Sequence, residues 1–255
     1  MKEIIADLRA EQESLDGLLA TLKDAQWDLP TLAVPWTVKD SVSHIAYIDD
    51  VAIATSKGDN SYFEVAFKIG YTFNEVGVEH GRAMKPSQVL GWWRKSRETM
   101  DDALAKLDPK TRLPWFALPM GARAFATARL METWAHGMDC YDAVKVKPVF
   151  TDRLRHVAYL ACQARPYAYQ VHGLGLPEVP IRVEVTLPSG ALWTNGPEGA
   201  ENTIKGTATD FCLVAVQRRH RKDTKLQISG SEAMRFMEIA QTYAGPAGTG
   251  RQPLK

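Results

Sequence analysis

Residues 131–139 read METWAHGMD and set Glu132 and His136 one helical turn apart, in a run that otherwise has the character of a buried helix. On an α-helix, side chains at i and i+4 share a face with Cβ atoms roughly 6 Å apart, so this carboxylate and imidazole could share one cation. Both groups are good ligands for zinc and its neighbours. Two ligands are too few, so a third is expected from another helix. His44, in VSHIAYIDD, is the candidate, because its helical stripe includes Ser41, Ile48 and Val51 and therefore points inward. Three protein ligands leave coordination positions open, a property of catalytic rather than structural zinc sites. The plainer reading of the same residues is a surface Glu–His ion pair and a satisfied core histidine, since a spacing match alone is a hypothesis.

The elements that must position these residues are readable from periodicity. Residues 2–23 carry one apolar helical stripe. DLPTLAVPW breaks it with two prolines, and Thr37 with Asp40 three residues later then opens a helix running to about Ser56. Residues 58–85 read as a connection holding a short helix, Tyr62–Ile69. A long helix opens near Pro86–Ser87 and closes at Pro109, RLPWFALPMG is an extended link, and Ala122 to about Val144 is a fourth long helix. Four long helices joined by loops imply a four-helix bundle. After KVKPVFT the pattern changes. Thr151–His172 reads as one helix, and IRVEVTL, ALWTN, NTIKG and KLQISG read as strands. TATDFCLVAVQRR is helical, SEAMRFMEIAQTYAG is a terminal helix ending at Gly245, and PAGTGRQPLK is a mobile tail. The expected organisation is therefore an all-α domain over residues 1–147 and a smaller α+β domain over residues 148–255.

Composition narrows the function classes. A net charge of +1 gives no bulk attraction to nucleic acid or an acidic membrane. No apolar run reaches bilayer length, and the charged, amphipathic start is unlike a signal peptide. Cys140, Cys162 and Cys212 lie far apart with no C-x-x-C pair, which fits a reducing cytoplasm.

WTVKDSVSHIAYIDD, followed about ninety residues later by RLMETWAHGMDCYDA, resembles the metal-binding bundle of the DinB/YfiT-like superfamily. The glutamate in place of a first histidine is similar to its mycothiol-dependent maleylpyruvate isomerase branch. That resemblance implies that His44, Glu132 and His136 bind a divalent metal, usually zinc, with nickel or iron also served by such ligands. It further implies a low-molecular-weight thiol such as mycothiol, and a small acidic substrate isomerised about a double bond or joined to the thiol by transfer. GTATDFCLVAVQRR resembles the C-terminal segment of the family and puts Gly206, Asp210 and Arg218 on its pattern, with Arg218 as the cation for an acidic substrate. Gln217 stands where glycine is usual, which bears on the local turn and the aim of Arg218.

Other residues keep open readings. Cys140 could be a fourth ligand, a redox thiol or a small core residue. Asp139 and Asp49 could orient metal-bound histidines or serve as caps and surface pairs. The rest of QRRHRKD reads as a solvated basic helix end. Trp92, Trp93 and Trp134 read as core aromatics. His80, His156, His172 and His220 lack partner spacing. Two further functions compete with thiol chemistry. One is hydrolysis by a metal-activated water, for which no separate general base is evident. The other is a non-enzymatic binding protein whose metal pins the bundle. Oligomeric state is not readable.

Overall fold

The apolar stripe near the N-terminus folds as α1 (Lys2–Leu19) and buries Ile4, Ile5, Leu8, Leu15, Leu18 and Leu19. The computed structural model describes residues 1–116 and 119–254, and the chain divides into two compact units, Met1–Pro148 and Val149–Lys255. A single turn, α2 (Asp24–Trp27), and a proline-bearing loop lead to α3 (Val38–Ser56). The expected capping box opens α3: Thr37 Oγ1 accepts from the Asp40 amide at 3.2 Å, and Asp40 Oδ2 accepts from the Thr37 amide at 3.0 Å. Next come α4 (Ser61–Ile69), α5 (Phe73–Arg82) and α6 (Pro86–Ala105), the last with proline in its first turn, where no amide partner is lost. A two-residue ladder pairs β1 (Arg112–Leu113) with β2 (Met120–Gly121) and feeds α7 (Ala122–Val144). Ala117 and Leu118, within the expected extended link, lie outside the described residues.

The first unit is a four-helix bundle of α1, α3, α6 and α7. α3 packs along α6 and α7, and α1 packs along the same two helices. Leu15, Leu19, Val38, Val42, Ile45, Val89 and Trp93 form one buried cluster, in which Cys140 is also fully buried. Each fully buried large apolar side chain of this kind contributes roughly 1.5–3 kcal/mol. Cys140 is therefore a core residue of α7, the third of the readings open for it.

α5 was not legible as a helix in the sequence. It lies on α3 with two glycines at the contact. A Cβ on Gly77 would stand 2.2 Å from Tyr47 Cβ, and one on Gly81 would stand 1.9 Å from Ser43 Oγ. Glycine lowers helix propensity, so GVEHG looks like loop, yet here it lets two backbones approach. Arg82 closes the contact with Nε 3.0 Å from Asp40 Oδ1 and Nη2 3.2 Å from Asp40 Oδ2.

The second unit is α+β. α8 (Leu154–Gln163) and α9 (Arg165–Val171) replace the single helix expected over 151–172, because Pro166 has no amide to continue the ladder. β3 (Ile181–Thr186), β4 (Leu192–Asn195), β5 (Asn202–Thr207) and β6 (Gln227–Ser229) form a sheet of order β4-β3-β5-β6. β3 and β5 are parallel and both outer pairs are antiparallel. Alternation along β3 buries Ile181, Val183 and Val185. α10 (Ala208–Ala215) packs on α8, and α11 (Ser231–Ile239) packs on β5 and α9. α11 ends six residues before the expected Gly245. Ala240 turns extended there, and Gln241 Nε2 donates to the Pro246 carbonyl at 2.9 Å. The tail is tied rather than loose: the Gly248 amide donates to Gln241 Oε1 at 2.8 Å, and the Leu254 amide donates to the Asp223 carboxylate at 3.0 Å. Cys212 is fully buried, and burial pushes the Cys162 thiol up to about 12.

Two outcomes follow from this packing. Gly81→Ala should lower unfolding free energy by about 1–3 kcal/mol through overpacking. Gly91→Ala, on an open face of α6 with nothing within 4 Å, should raise it by about 0.5–1 kcal/mol in the same denaturant titration. Asp101 is buried beside Gln12, and desolvation raises its carboxyl from 3.8 to about 7 against the pull of Gln12 and Arg9. The native state then holds a proton that the unfolded chain has released, so stability falls as pH rises from about 4 to 7. Asp101→Asn should flatten that slope and gain on the order of 2–4 kcal/mol over the parent at pH 8, measured by denaturation at several pH values.

Candidate metal centre

α3 and α7 face each other with an unusual load of buried polar side chains. Asp49 and His44 come from α3, and Arg129, Thr133, His136 and Asp139 from α7. Buried polar groups must be partnered, and these form two levels. At one level Arg129 Nε and Nη2 donate to Asp49 Oδ1 at 3.1 and 2.9 Å, with both side chains almost fully enclosed. Burial pushes the Asp49 carboxyl up to about 6 in spite of Arg129, so the pair is ionised at neutral pH. Asp49 is thus the ion-pair partner of Arg129.

The next level holds His44, Glu132 and His136. One ligand atom from each lies within 4.8 Å of the others. His136 Nε2 stands 3.5 Å from Glu132 Oε2. That is long for a charge-assisted hydrogen bond, at most a weak one. Two ligands each about 2.1 Å from a tetrahedral cation stand about 3.4 Å apart, so the observed separation suits a shared ion better. The other ring nitrogen, His136 Nδ1, is 3.3 Å from Asp139 Oδ2, and Asp139 is buried. A carboxylate behind a ligating imidazole fixes its tautomer and leaves Nε2 to the metal. The His44 and His136 rings meet edge to face, with centroids 4.9 Å apart. Burial alone would raise the Glu132 carboxyl. The neighbouring His136, with smaller pulls from Arg129 and His44, overcomes that and lowers it to about 2. Glu132 therefore presents a full negative charge across the neutral range. Donor types, spacing and charge all fit a divalent cation.

Two residues beside this group escaped sequence reasoning. The Trp36 ring lies 4.8 Å from the His44 ring and 5.7 Å from the His136 ring, and its Nε1 donates to Glu75 Oε1 at 3.0 Å. Trp36 sits in the loop before the α3 cap and Glu75 on the unforeseen α5. The only available signal was the position of Trp36 directly before that cap.

Arg218 belongs to the second unit. It is buried, and its Nη1 donates to the Val216 carbonyl at 2.8 Å. The turn ahead of it is left-handed at Gln217, with φ of 57°, the conformation in which glycine is ordinarily favoured. The Arg218 amide reaches back to the Leu213 carbonyl at 2.7 Å and closes α10. Gln217 is held there by both ends of its amide, Nε2 to the Ala240 carbonyl at 3.0 Å and Oε1 from Tyr243 Oη at 2.6 Å. The missing glycine thus leaves the turn intact. Gly206 is also left-handed, and Asp210 holds the Lys225 amide at 3.1 Å.

Comparison with known proteins bears on the family and the fold. Residues 8–141 match the family model described as the mycothiol maleylpyruvate isomerase N-terminal domain. Two uncharacterised proteins of Mycobacterium tuberculosis, one from each of two strains, are 38% identical over 250 residues, covering 97% of this chain and 97% of each relative. Among solved structures, a mycothiol-dependent maleylpyruvate isomerase superposes with a TM-score of 0.60 at 16% identity, covering 89% of this chain and 92% of the other. A histidine-to-alanine variant of that enzyme gives 0.57 at 16% identity, with 85% and 89% covered. At that identity the likeness is one of fold.

The level below the site is the most direct to perturb. Arg129→Met leaves Asp49 buried without a cation and should cost about 3–5 kcal/mol at pH 8, less at pH 5, where Asp49 takes up a proton. Adding Asp49→Leu should restore most of the loss, as read by denaturant unfolding of the single and double variants.

Proposed function

The chain belongs to the mycothiol maleylpyruvate isomerase family, and on that premise we propose that it is a metal-dependent, thiol-using isomerase or thiol transferase acting on a small acidic metabolite. The observation that carries this reading is the convergence of His44, Glu132 and His136 within 4.8 Å between two helices of the bundle. A divalent cation held by those three, zinc first and nickel or iron with the same donors, would stabilise a guest thiol as its thiolate at neutral pH.

The protein's own residues do the rest. Glu132 supplies the negative charge that holds a dication and stays ionised over the whole neutral range. Asp139 keeps the His136 imidazole in the tautomer whose Nε2 is free to donate its lone pair. The ion pair of Arg129 and Asp49 holds α7 against α3, so that His44 meets its partners from the opposite helix. Arg218 is the residue proposed to bind the carboxylate of the substrate, a task suited to a guanidinium. Its support is the left-handed turn at Gln217, which keeps the helix ending expected of the family pattern. A low-molecular-weight thiol, mycothiol by family, is the proposed co-substrate.

Protein purified without added metal should carry about one divalent ion per chain by elemental analysis, and His44→Ala should lose most of it. In cobalt-substituted protein, a low-molecular-weight thiol should shift the visible spectrum through a sulfur-to-metal band. Ester cleavage with no response to any thiol would replace this reading with the hydrolytic one. Metal-free protein after gentle purification would leave a binding protein.

A further inference from the structure

Trp36 has more support than its place in a loop requires. The Thr31 amide and Thr31 Oγ1 both donate to its carbonyl, each at 2.8 Å, and its own amide donates to the Ala33 carbonyl at 2.9 Å. The far end of the side chain is also tied, because Nε1 donates to Glu75 Oε1 at 3.0 Å. Glu75 in turn rides on a helix seated closely on α3. α5 meets α3 through Gly77 and Gly81, where a Cβ would collide, and Arg82 grips Asp40 with two hydrogen bonds. Between these two anchors the indole spans both imidazoles, 4.8 Å from His44 and 5.7 Å from His136, at tilts of 41° and 34°. The indole is only half-buried, beside two histidines that are both buried.

We propose that Trp36, latched by Glu75, is a positioning residue of the metal centre. The indole restricts the rotation of both imidazoles and forms the wall against which a guest on the metal must lie. α5, none of whose residues belongs to the ligand group, thereby controls the shape of the coordination space. A tryptophan suits the role: its flat face excludes water and packs on imidazole, while one N–H gives a single directional tie. Removing the tie frees the ring, and removing the ring frees the histidines. The proposal rests on reading His44, Glu132 and His136 as metal ligands, and the experiment separates the two.

Full-length apoprotein is titrated with cobalt(II) alone, with affinity from equilibrium dialysis and geometry from the visible absorption spectrum. The loaded protein is then titrated with a low-molecular-weight thiol. Trp36→Ala and Glu75→Leu should each weaken cobalt binding about tenfold, the usual scale for supports behind metal ligands, and alter the band shape. Glu75→Gln keeps an acceptor for the indole and should stay within about twofold of the parent. Trp36→Phe keeps a ring without the tie and should weaken binding about as much as Glu75→Leu. At saturating cobalt, Trp36→Ala should also change the half-saturating thiol concentration about tenfold, the mark of a wall rather than of general support. Thermal melts establish folding for each variant, and if Trp36→Ala does not fold, Trp36→Phe and Glu75→Leu decide. Parental cobalt affinity, spectrum and thiol response in those variants would overturn the proposal while leaving the metal centre standing. No cobalt binding by the parent, or equal binding by His44→Ala, would overturn both.

Discussion

The packing of α3 against α7 depends on partnering charge inside a dry interface. A carboxylate, a guanidinium and two imidazoles lie where apolar side chains would cost less, and each is tolerated only because another lies opposite. Asp49 and Arg129 form a closed pair that sets which residues of the two helices face one another. With that register fixed, His44 comes opposite Glu132 and His136, and one helical turn further Asp139 backs His136. The closed pair and the open triad are consecutive levels of one column. The first supplies alignment, and the second presents donor atoms spaced for an ion.

That column also explains the character of α7. Its buried residues cover every side of the helix, from Ala122 and Phe125 to Asp139 and Cys140. A helix buried all round cannot orient itself by an apolar stripe. Directional contacts must do it, and the ion pair and the His136–Asp139 contact are directional. The end of α7 is fixed as well: Lys145 turns left-handed with φ of 58°, and the Val146 amide closes on the Tyr141 carbonyl at 3.1 Å.

Much of this was legible in the sequence because it is local. Thr37 with Asp40 marks the start of α3, Pro86 marks α6, and the i,i+4 relation of Glu132 and His136 needs only a helix to put both on one face. The inward face of His44 followed from its stripe and made it the candidate partner of Glu132 and His136, and the family resemblance implied the same set. What escaped was non-local or masked by small residues. α5 uses glycine at its contact with α3, the reverse of an apolar signature, so the carboxylate of Glu75 was hidden inside an apparent connection. Trp36 reads as part of a proline-rich break, and its neighbours are eight and one hundred residues away along the chain. Pro166 marked the break between α8 and α9, yet the apolar pattern on both sides outweighed it. α11 was overextended because the side chains that end it, Gln241 and its acceptors, pack only in the folded unit.

The cysteines carry a consequence for a protein that would handle a guest sulfur. Cys140 and Cys212 are sealed in their cores, and Cys162 holds its proton far into alkaline conditions. Exchange between sulfurs requires an accessible thiolate as attacker. Cys140 and Cys212 are shielded in this way from capture as mixed disulfides, and the high pKa of Cys162 leaves little thiolate there at neutral pH, so the chain's own sulfurs stay quiet if the surrounding thiol pool turns oxidising.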